Sequence, residues 1–245
     1  MSNTTTAPAV MANFDAAALR LHISDGNTKT GAIPNYSTLP TGGIVRRKDG
    51  TPVTGEYGTC AGVCNGCAGA CYAVRALRYT GTARAWSENT TLIRENPLAI
   101  VRDVSAYLDK KRTRPALFRF HVGGEFMPSD AGLMELRSLA ILARKYPETV
   151  FFGYTKRSAL LLRYKGIYGD MPQNLRVLVS MWNGTVTNYT NAPMFHYDDG
   201  TDETLQGMRH CPAVDRNGRK TGVSCAACRM CATAKDGDNI AVYAH

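Results

Sequence analysis

Eight cysteines are gathered into two groups. Cys60, Cys64, Cys67 and Cys71 fall within twelve residues, and Cys211-Pro212 is followed by Cys225, Cys228 and Cys231. Thiolates are soft ligands that select zinc, copper(I) or iron–sulfur clusters. Four thiols in so short a stretch suit a compact cubane, with the chain wrapped around it and backbone N–H groups directed at the sulfides. The small residues Ala61, Gly62, Gly66, Ala68, Gly69 and Ala70 permit that close wrapping.

The second group, a Cys-x2-Cys-x2-Cys triplet with a remote Cys-Pro, resembles bacterial ferredoxin ligation, in which a fourth cysteine can serve the neighbouring cluster. The expectation is two [4Fe–4S] clusters, with all eight cysteines as metal ligands. Zinc and free redox thiols are the alternatives. Structural zinc draws two ligand pairs from separated knuckles, and here only pairing across the two groups would supply them. Which cysteines share a cluster is left open by the spacing.

The chain of 245 residues, 44% hydrophobic and 20% charged, suits a single domain with its own core. Residues 1–21 read as a polar tail running into a short amphipathic segment around Phe14 to Leu21, and 22–245 as one domain. Met1 to Phe14 has no positive charge and no sustained apolar run, so a secretory signal is not expected. No apolar run approaches membrane-spanning length. The expected setting is therefore a reducing cytoplasm, where clustered cysteines point to metal or redox chemistry rather than disulfides. The net charge of +9, with clusters at Arg46-Arg47-Lys48, Lys110 to Arg114 and Arg216 to Lys220, admits nucleic acid as a partner; the plainer reading is solvated surface.

The elements that must position these groups follow a βα rhythm. A hairpin is expected around Ile44 to Val53. Asn96 and Pro97 should open a helix with Ile100, Val101, Val104, Tyr107 and Leu108 on one face. Strands are expected at Ala116 to Val122, Val150 to Tyr154 and Leu175 to Trp182. Ser129 should cap a helix burying Leu133, Leu136, Ala140 and Ala143, and a short helix should run from Ser158 to Tyr164. The fold class is α/β, a partial or distorted (β/α) barrel with cysteine-rich loops flanking the strand ends. The tail after Tyr197 reads as turn-rich.

Polar residues near strand C-termini build the sites of such folds. Arg119 and His121 alternate with Phe118, Phe120 and Val122, which gives the first strand a polar face, and Lys156 ends the next strand. Arg119, His121, Glu125 and Lys156 are thus the catalytic candidates. The structural alternative pairs Arg119 with Glu125 and leaves His121 as a satisfied core residue.

Cys60-x3-Cys64-x2-Cys67 has the spacing of the radical S-adenosylmethionine superfamily, and Gly123-Gly124-Glu125 resembles that superfamily's Gly-Gly-Glu motif. The resemblance implies S-adenosylmethionine as a second cofactor, its amino group held near Gly123, Gly124 and Glu125. Two features depart from the pattern: Gly66 stands where an aromatic often precedes the third cysteine, and Cys71 is a fourth thiol able to close the iron that must stay open.

A wider set of segments resembles a phage family known as gene product 88. It comprises Gly26-Asn27-Thr28-Lys29-Thr30-Gly31 with Ile33-Pro34-Asn35, then Cys71-Tyr72-Ala73, Phe118-Arg119-Phe120-His121, Gly124-Glu125-Phe126, Tyr154-Thr155-Lys156 and the cysteine triplet. Where the family tends to have Gly-Asp, this chain has Gly124-Glu125. The resemblance implies a viral origin, action inside an infected host cell and a cysteine-ligated metal centre. It implies no reaction, so the substrate, small or macromolecular, is left unassigned.

Overall fold

A computed structural model describes residues 19–41, 44–46, 52–60, 65–182 and 186–244. Of the tail expected over 1–21, only residues 19–21 are among these; Cys64 with Ala61 and Gly62, and Arg47-Lys48, lie outside the described residues.

The elements are β1 (Ile44–Arg46), β2 (Pro52–Tyr57), α1 (Asn65–Gly69), α2 (Tyr72–Ala76), α3 (Thr80–Glu95), α4 (Ala99–Asp109), β3 (Leu117–Arg119), α5 (Asp130–Lys145), β4 (Val150–Thr155), α6 (Ser158–Tyr168), β5 (Leu175–Trp182), β6 (Met194–Asp198), β7 (Arg209–His210), α7 (Cys225–Cys228) and β8 (Asn239–Tyr243). Strands β1 and β2 form the expected antiparallel hairpin. The other six strands make one wholly parallel sheet in the order β3-β4-β5-β6-β8-β7. The expected α/β class is therefore what the chain adopts, and no ladder joins β3 to β7 among the described residues.

The four strands β3 to β6 stand side by side in chain order. Parallel crossovers share one hand, so crossovers that always step in the same direction leave their helices on one face. Phe118, Phe151, Val177 and Val179 point to that face. They form one core with Leu92 and Ile93 of α3, Ile100, Val104 and Leu108 of α4, Leu136 and Ala140 of α5, and Leu161 and Tyr164 of α6. The alternate residues turn the other way: Leu117 and Phe152 pack with Ile33 and Ala232, and Leu178 and Ile240 pack with Ala234. Among the described residues that second face bears no long helix. The tail after β7 covers it.

Several boundaries differ from expectation for local reasons. The first strand stops at Arg119 because His121 takes a left-handed backbone, φ 49°. Asn96 does not cap α4; Asn96 and Pro97 accept from Ala99 and Ile100 in the turn between α3 and α4, and α4 begins at Ala99. Ser129 does cap α5, accepting from the Ala131 N–H at 3.3 Å. Helix α6 continues to Tyr168, β6 at Met194–Asp198 is a strand that was not expected, and strands β7 and β8 lie where a turn-rich tail was expected after Tyr197.

The helix face also buries a polar cluster. Glu135 of α5, fully buried, accepts hydrogen bonds from the Tyr36 hydroxyl and pairs with His121 Nε2, each at 2.8 Å. The imidazole packs edge-on against Phe126, Tyr36 and Phe120, so His121 is a core residue of the helix side. Burial opposes its charge, but the adjacent Glu135 carboxylate, with Glu125 farther off, raises its pKa above the usual 6.5. A raised histidine contributes stability that is complete below about pH 6.5 and is lost as pH climbs through the folded value. The urea midpoint should therefore fall between about pH 6 and pH 8, and Glu135→Gln should flatten that dependence while lowering stability throughout. Parallel pH profiles in parent and variant would contradict the pairing.

Candidate metal centre

The face of the sheet opposite the helices looks into a cavity of about 230 Å³, far more than the ~10–15 Å³ that one water needs. Cys60, Cys67, Cys71, Cys211, Cys225, Cys228 and Cys231, all the described cysteines, line it. Its floor is Phe152 and Tyr154 of β4, Ser180 and Trp182 of β5, and Phe195 and Tyr197 of β6. These are alternate residues that the period of two brings to one face.

The first group sits at the C-terminal ends of the strands. Cys60 follows β2, its N–H donating to the Thr41 carbonyl at 2.8 Å; Cys67 lies in α1 and Cys71 precedes α2. Gly66 lets α1 close on the sheet, since a Cβ there would collide with the indole nitrogen of Trp182. Trp182 is held flat by Tyr197, their rings 3.9 Å apart and 11° from parallel. Burial, then the Glu125 carboxylate, push the Cys60 thiol up to about 12, with Cys71 and Cys67 adding to the effect. Cys71 therefore stands on the same side as Cys60 and Cys67.

The second group is fixed by a loop from the other end of the chain. Asn27 turns residues 27–31 back on themselves, its side chain accepting from the N–H groups of Lys29 and Thr30 at 2.9 Å each. The Lys29 and Thr30 carbonyls then accept from Cys225 and Ala226 at 3.0 and 3.1 Å. Gly31, at φ 68°, lies so close that a Cβ would stand 2.9 Å from Ala226 Cβ. Ser224 caps α7, and Cys211 donates its N–H to Ala241 of β8 at 2.7 Å. Burial pushes the Cys231 thiol up to about 12 against a hydrogen bond from Tyr154 that opposes it, and raises Cys211 as well. Cys211, Cys225 and Cys231 lie within electrostatic reach of one another, and Cys228 acts on Cys211.

The strand-end candidates divide. Arg119, 6% exposed, and Lys156 both line the cavity. The Arg119 guanidinium lies over the Tyr154 ring, 5.0 Å from its centre, and Lys156 Nζ donates to Ser180 at 3.1 Å. His121 also borders the cavity, but it has a left-handed backbone and its imidazole is buried against Glu135. Glu125 is at the cavity but does not pair with Arg119: Oε1 accepts from Thr155 Oγ1 and Phe126 N at 2.7 and 2.8 Å, and Oε2 accepts from Lys156 N at 2.7 Å.

Gly123 and Gly124 have packing roles. A Cβ on Gly123 would stand 2.7 Å from the Trp86 ring, and Gly124, at φ 86°, presses on Thr38. Among the described residues no three cysteine, histidine or carboxylate side chains converge as they would around one metal ion.

Sequence reasoning missed three contributors. Lys29 belongs to a loop far from the cysteines in sequence, yet it lines the cavity with its Nζ 5.2 Å from the Tyr72 ring centre. Burial, then Arg119, hold it below the usual lysine range. Trp182 could have been found as the cavity-face residue that ends its strand. Glu135 sits within an otherwise apolar helix stripe, where a buried acid demands a partner.

Because Gly31 seats the loop against Ser224 and Ala226, Gly31→Val should unseat the cysteine tail. Overpacking and the positive φ together should cost about 2–4 kcal/mol. Thermal unfolding of the variant should begin at lower temperature, with the tail cut first in limited proteolysis; a parent-like melt and digestion pattern would refute the docking role.

The search of curated proteins and the search of solved structures returned no match. The family described as Gene product 88 matches residues 21–234, a span that runs from the first buried leucine through the loop at 26–31, the strand ends and both cysteine groups. The chain belongs to that phage family.

Proposed function

We propose that this protein holds two [4Fe–4S] clusters on opposite walls of one cavity and serves a redox or catalytic role in the host cytoplasm. The observation that carries the reading is that cysteines from two remote segments, in the two groups that spacing defines, line the same cavity. Cys60, Cys64, Cys67 and Cys71 would hold one cluster, and Cys211, Cys225, Cys228 and Cys231 the other. A cubane gives each thiolate its own iron and so keeps the sulfurs apart, whereas one zinc ion draws four ligands to about 2.3 Å from a common point. When bound, the clusters supply one-electron transfer.

The remaining residues fit this role. Tyr154 hydrogen-bonds toward Cys231, and Arg119 and Lys29 place positive charge beside Cys225. Both features are means by which a protein tunes a cluster. The sheet wall with helices on one side and the site on the other corresponds to a sector of a (β/α) barrel. A nucleic-acid-binding role with structural metals has less support, because two of the four cations at 110–114 are paired: Lys111 with Asp25 at 2.9 Å and Arg114 with Glu148 at 2.7 Å.

Anaerobically prepared protein should contain about eight iron and eight acid-labile sulfide per chain, if both clusters are cubanes. Cys67→Ala and Cys228→Ala should each lose about half of both. Zinc as the sole metal after iron-replete anaerobic expression would refute the proposal.

A second reading, radical S-adenosylmethionine chemistry, is favoured by the Glu125 carboxylate lying near Cys60 at a strand end. It requires an iron with a vacant position, and Cys71 would fill it. Adding S-adenosylmethionine to the reduced parent should therefore leave the cluster EPR spectrum unchanged and release no 5′-deoxyadenosine, while Cys71→Ala should become spectrally responsive. Formation of 5′-deoxyadenosine by the parent would establish the second reading instead.

A further inference from the structure

Among the described residues the Arg119 guanidinium has a donor in the cavity that no carboxylate takes up. Lys29, Arg119 and Lys156 line this cavity, and the acid beside them, Glu125, already accepts three hydrogen bonds from Thr155 Oγ1 and the backbone of Phe126 and Lys156. A carboxylate offers about four acceptor positions, so little of Glu125 remains for a cation. Among the described residues no carboxylate lies within ion-pair distance of Arg119. Its Nε is buried with no hydrogen-bond partner. A buried guanidinium costs several kcal/mol in desolvation unless its donors are used, so an unused donor in a cavity is a site for an acceptor brought from outside.

The surroundings suit such an acceptor. Arg119 is fixed from below by the Tyr154 ring, and Lys156 by Ser180 Oγ at 3.1 Å. Tyr72 lies between the cysteine groups, within electrostatic reach of Cys71, Cys225 and Arg119, and its hydroxyl donates to the Val122 carbonyl. Arg119 thus lies beside Cys225 and Cys231 of the second group, with Tyr72 next to it on the way to Cys71 of the first. The Nε and an Nη edge of a guanidinium match the two oxygens of a carboxylate or phosphoryl group.

We propose that Arg119, assisted by Lys29 and Lys156, is the anchor for a small oxyanion, the carboxylate or phosphoryl group of the substrate, bound between the two cysteine groups. The inference rests on the cavity being the working site but not on iron being its metal. The substrate would be a small acid or phosphorylated molecule, held by its charge with its remainder over Phe195 and Tyr197.

The test is calorimetric titration of the anaerobically purified full chain with inorganic phosphate and, separately, with succinate, alongside iron and sulfide assays on the same samples. One equivalent should bind saturably, and Arg119→Gln should weaken it roughly ten- to a hundredfold, the loss expected for a charge-assisted pair, with cluster content unchanged. The stronger of the two ligands distinguishes a phosphoryl from a carboxylate substrate. No saturable binding of either by the parent, or equal binding by Arg119→Gln, overturns the proposal. So does a variant that binds normally but loses iron, which would make Arg119 a counter-charge for the thiolates. Should Arg119→Gln fail to fold, Lys29→Gln carries the comparison; unchanged affinity there is equally fatal. Iron-free protein with Arg119-dependent anion binding would sink the cluster reading and keep this one, and iron-loaded protein with no anion binding would do the reverse.

Discussion

Two backbone hydrogen bonds, from Cys225 to the carbonyl of Lys29 and from Ala226 to that of Thr30, tie the start of the domain to its end. Without that tie the second cysteine group would have no fixed place over the sheet, since the tail around it contributes few apolar anchors of its own: Ala232 and Ala234 are its fully buried side chains near the triplet. The loop that makes the tie also carries Lys29 into the cavity. One local structure, an Asn27-centred turn closed by two positive-φ glycines, therefore sets both the position of three cysteines and part of the charge around them.

The sheet supplies the rest by arithmetic. A period of two sends Phe118, Phe151, Val177 and Val179 to the helices and Arg119, Phe152, Tyr154, Ser180 and Phe195 to the cavity. Chain-order neighbours keep the helices on one side, which leaves the other side free to be built from loops. The helix side is well packed around the Tyr36–Glu135–His121 cluster, and the loop side takes up the variable chemistry. Rigid scaffold and functional loops are thus divided by a single sheet.

Much of this was legible in the residues. Leu133, Leu136, Ala140 and Ala143 repeat at helical spacing and are buried as expected, and the three strands with strong β-branched or aromatic runs are present. Helix α3 was not read because its buried face mixes polar with apolar residues: beside Ala83, Leu92 and Ile93, Asn89 donates to the carbonyls of His22 and Ser37 and Thr90 accepts from Leu39 N, which interrupts the apolar stripe that periodicity detects. Strands β6 and β8 are short and lie among turns, where pairing partners far along the chain decide the conformation. At the site, spacing identified the cysteine groups and strand position identified Arg119 and Lys156. For His121 the sequence left a catalytic and a core reading open; the partner that buries its imidazole, Glu135, comes from a helix fourteen residues on, and the left-handed backbone at His121 is not recorded in an alternation pattern.

The order of strands has a consequence for biogenesis. β8 is the last strand in the sequence, yet it lies inside the sheet, between β6 and β7. Emerging from the ribosome first, β7 has no neighbour to join until β8 is made, and Cys211, bonded to β8 through Ala241, waits with it. The cavity therefore gains its second wall only when synthesis reaches the final residues of the sheet. A chain without β8 would leave the cysteines of its tail and the β6 edge uncovered together, so the insertion of β8 is the step that closes the cavity.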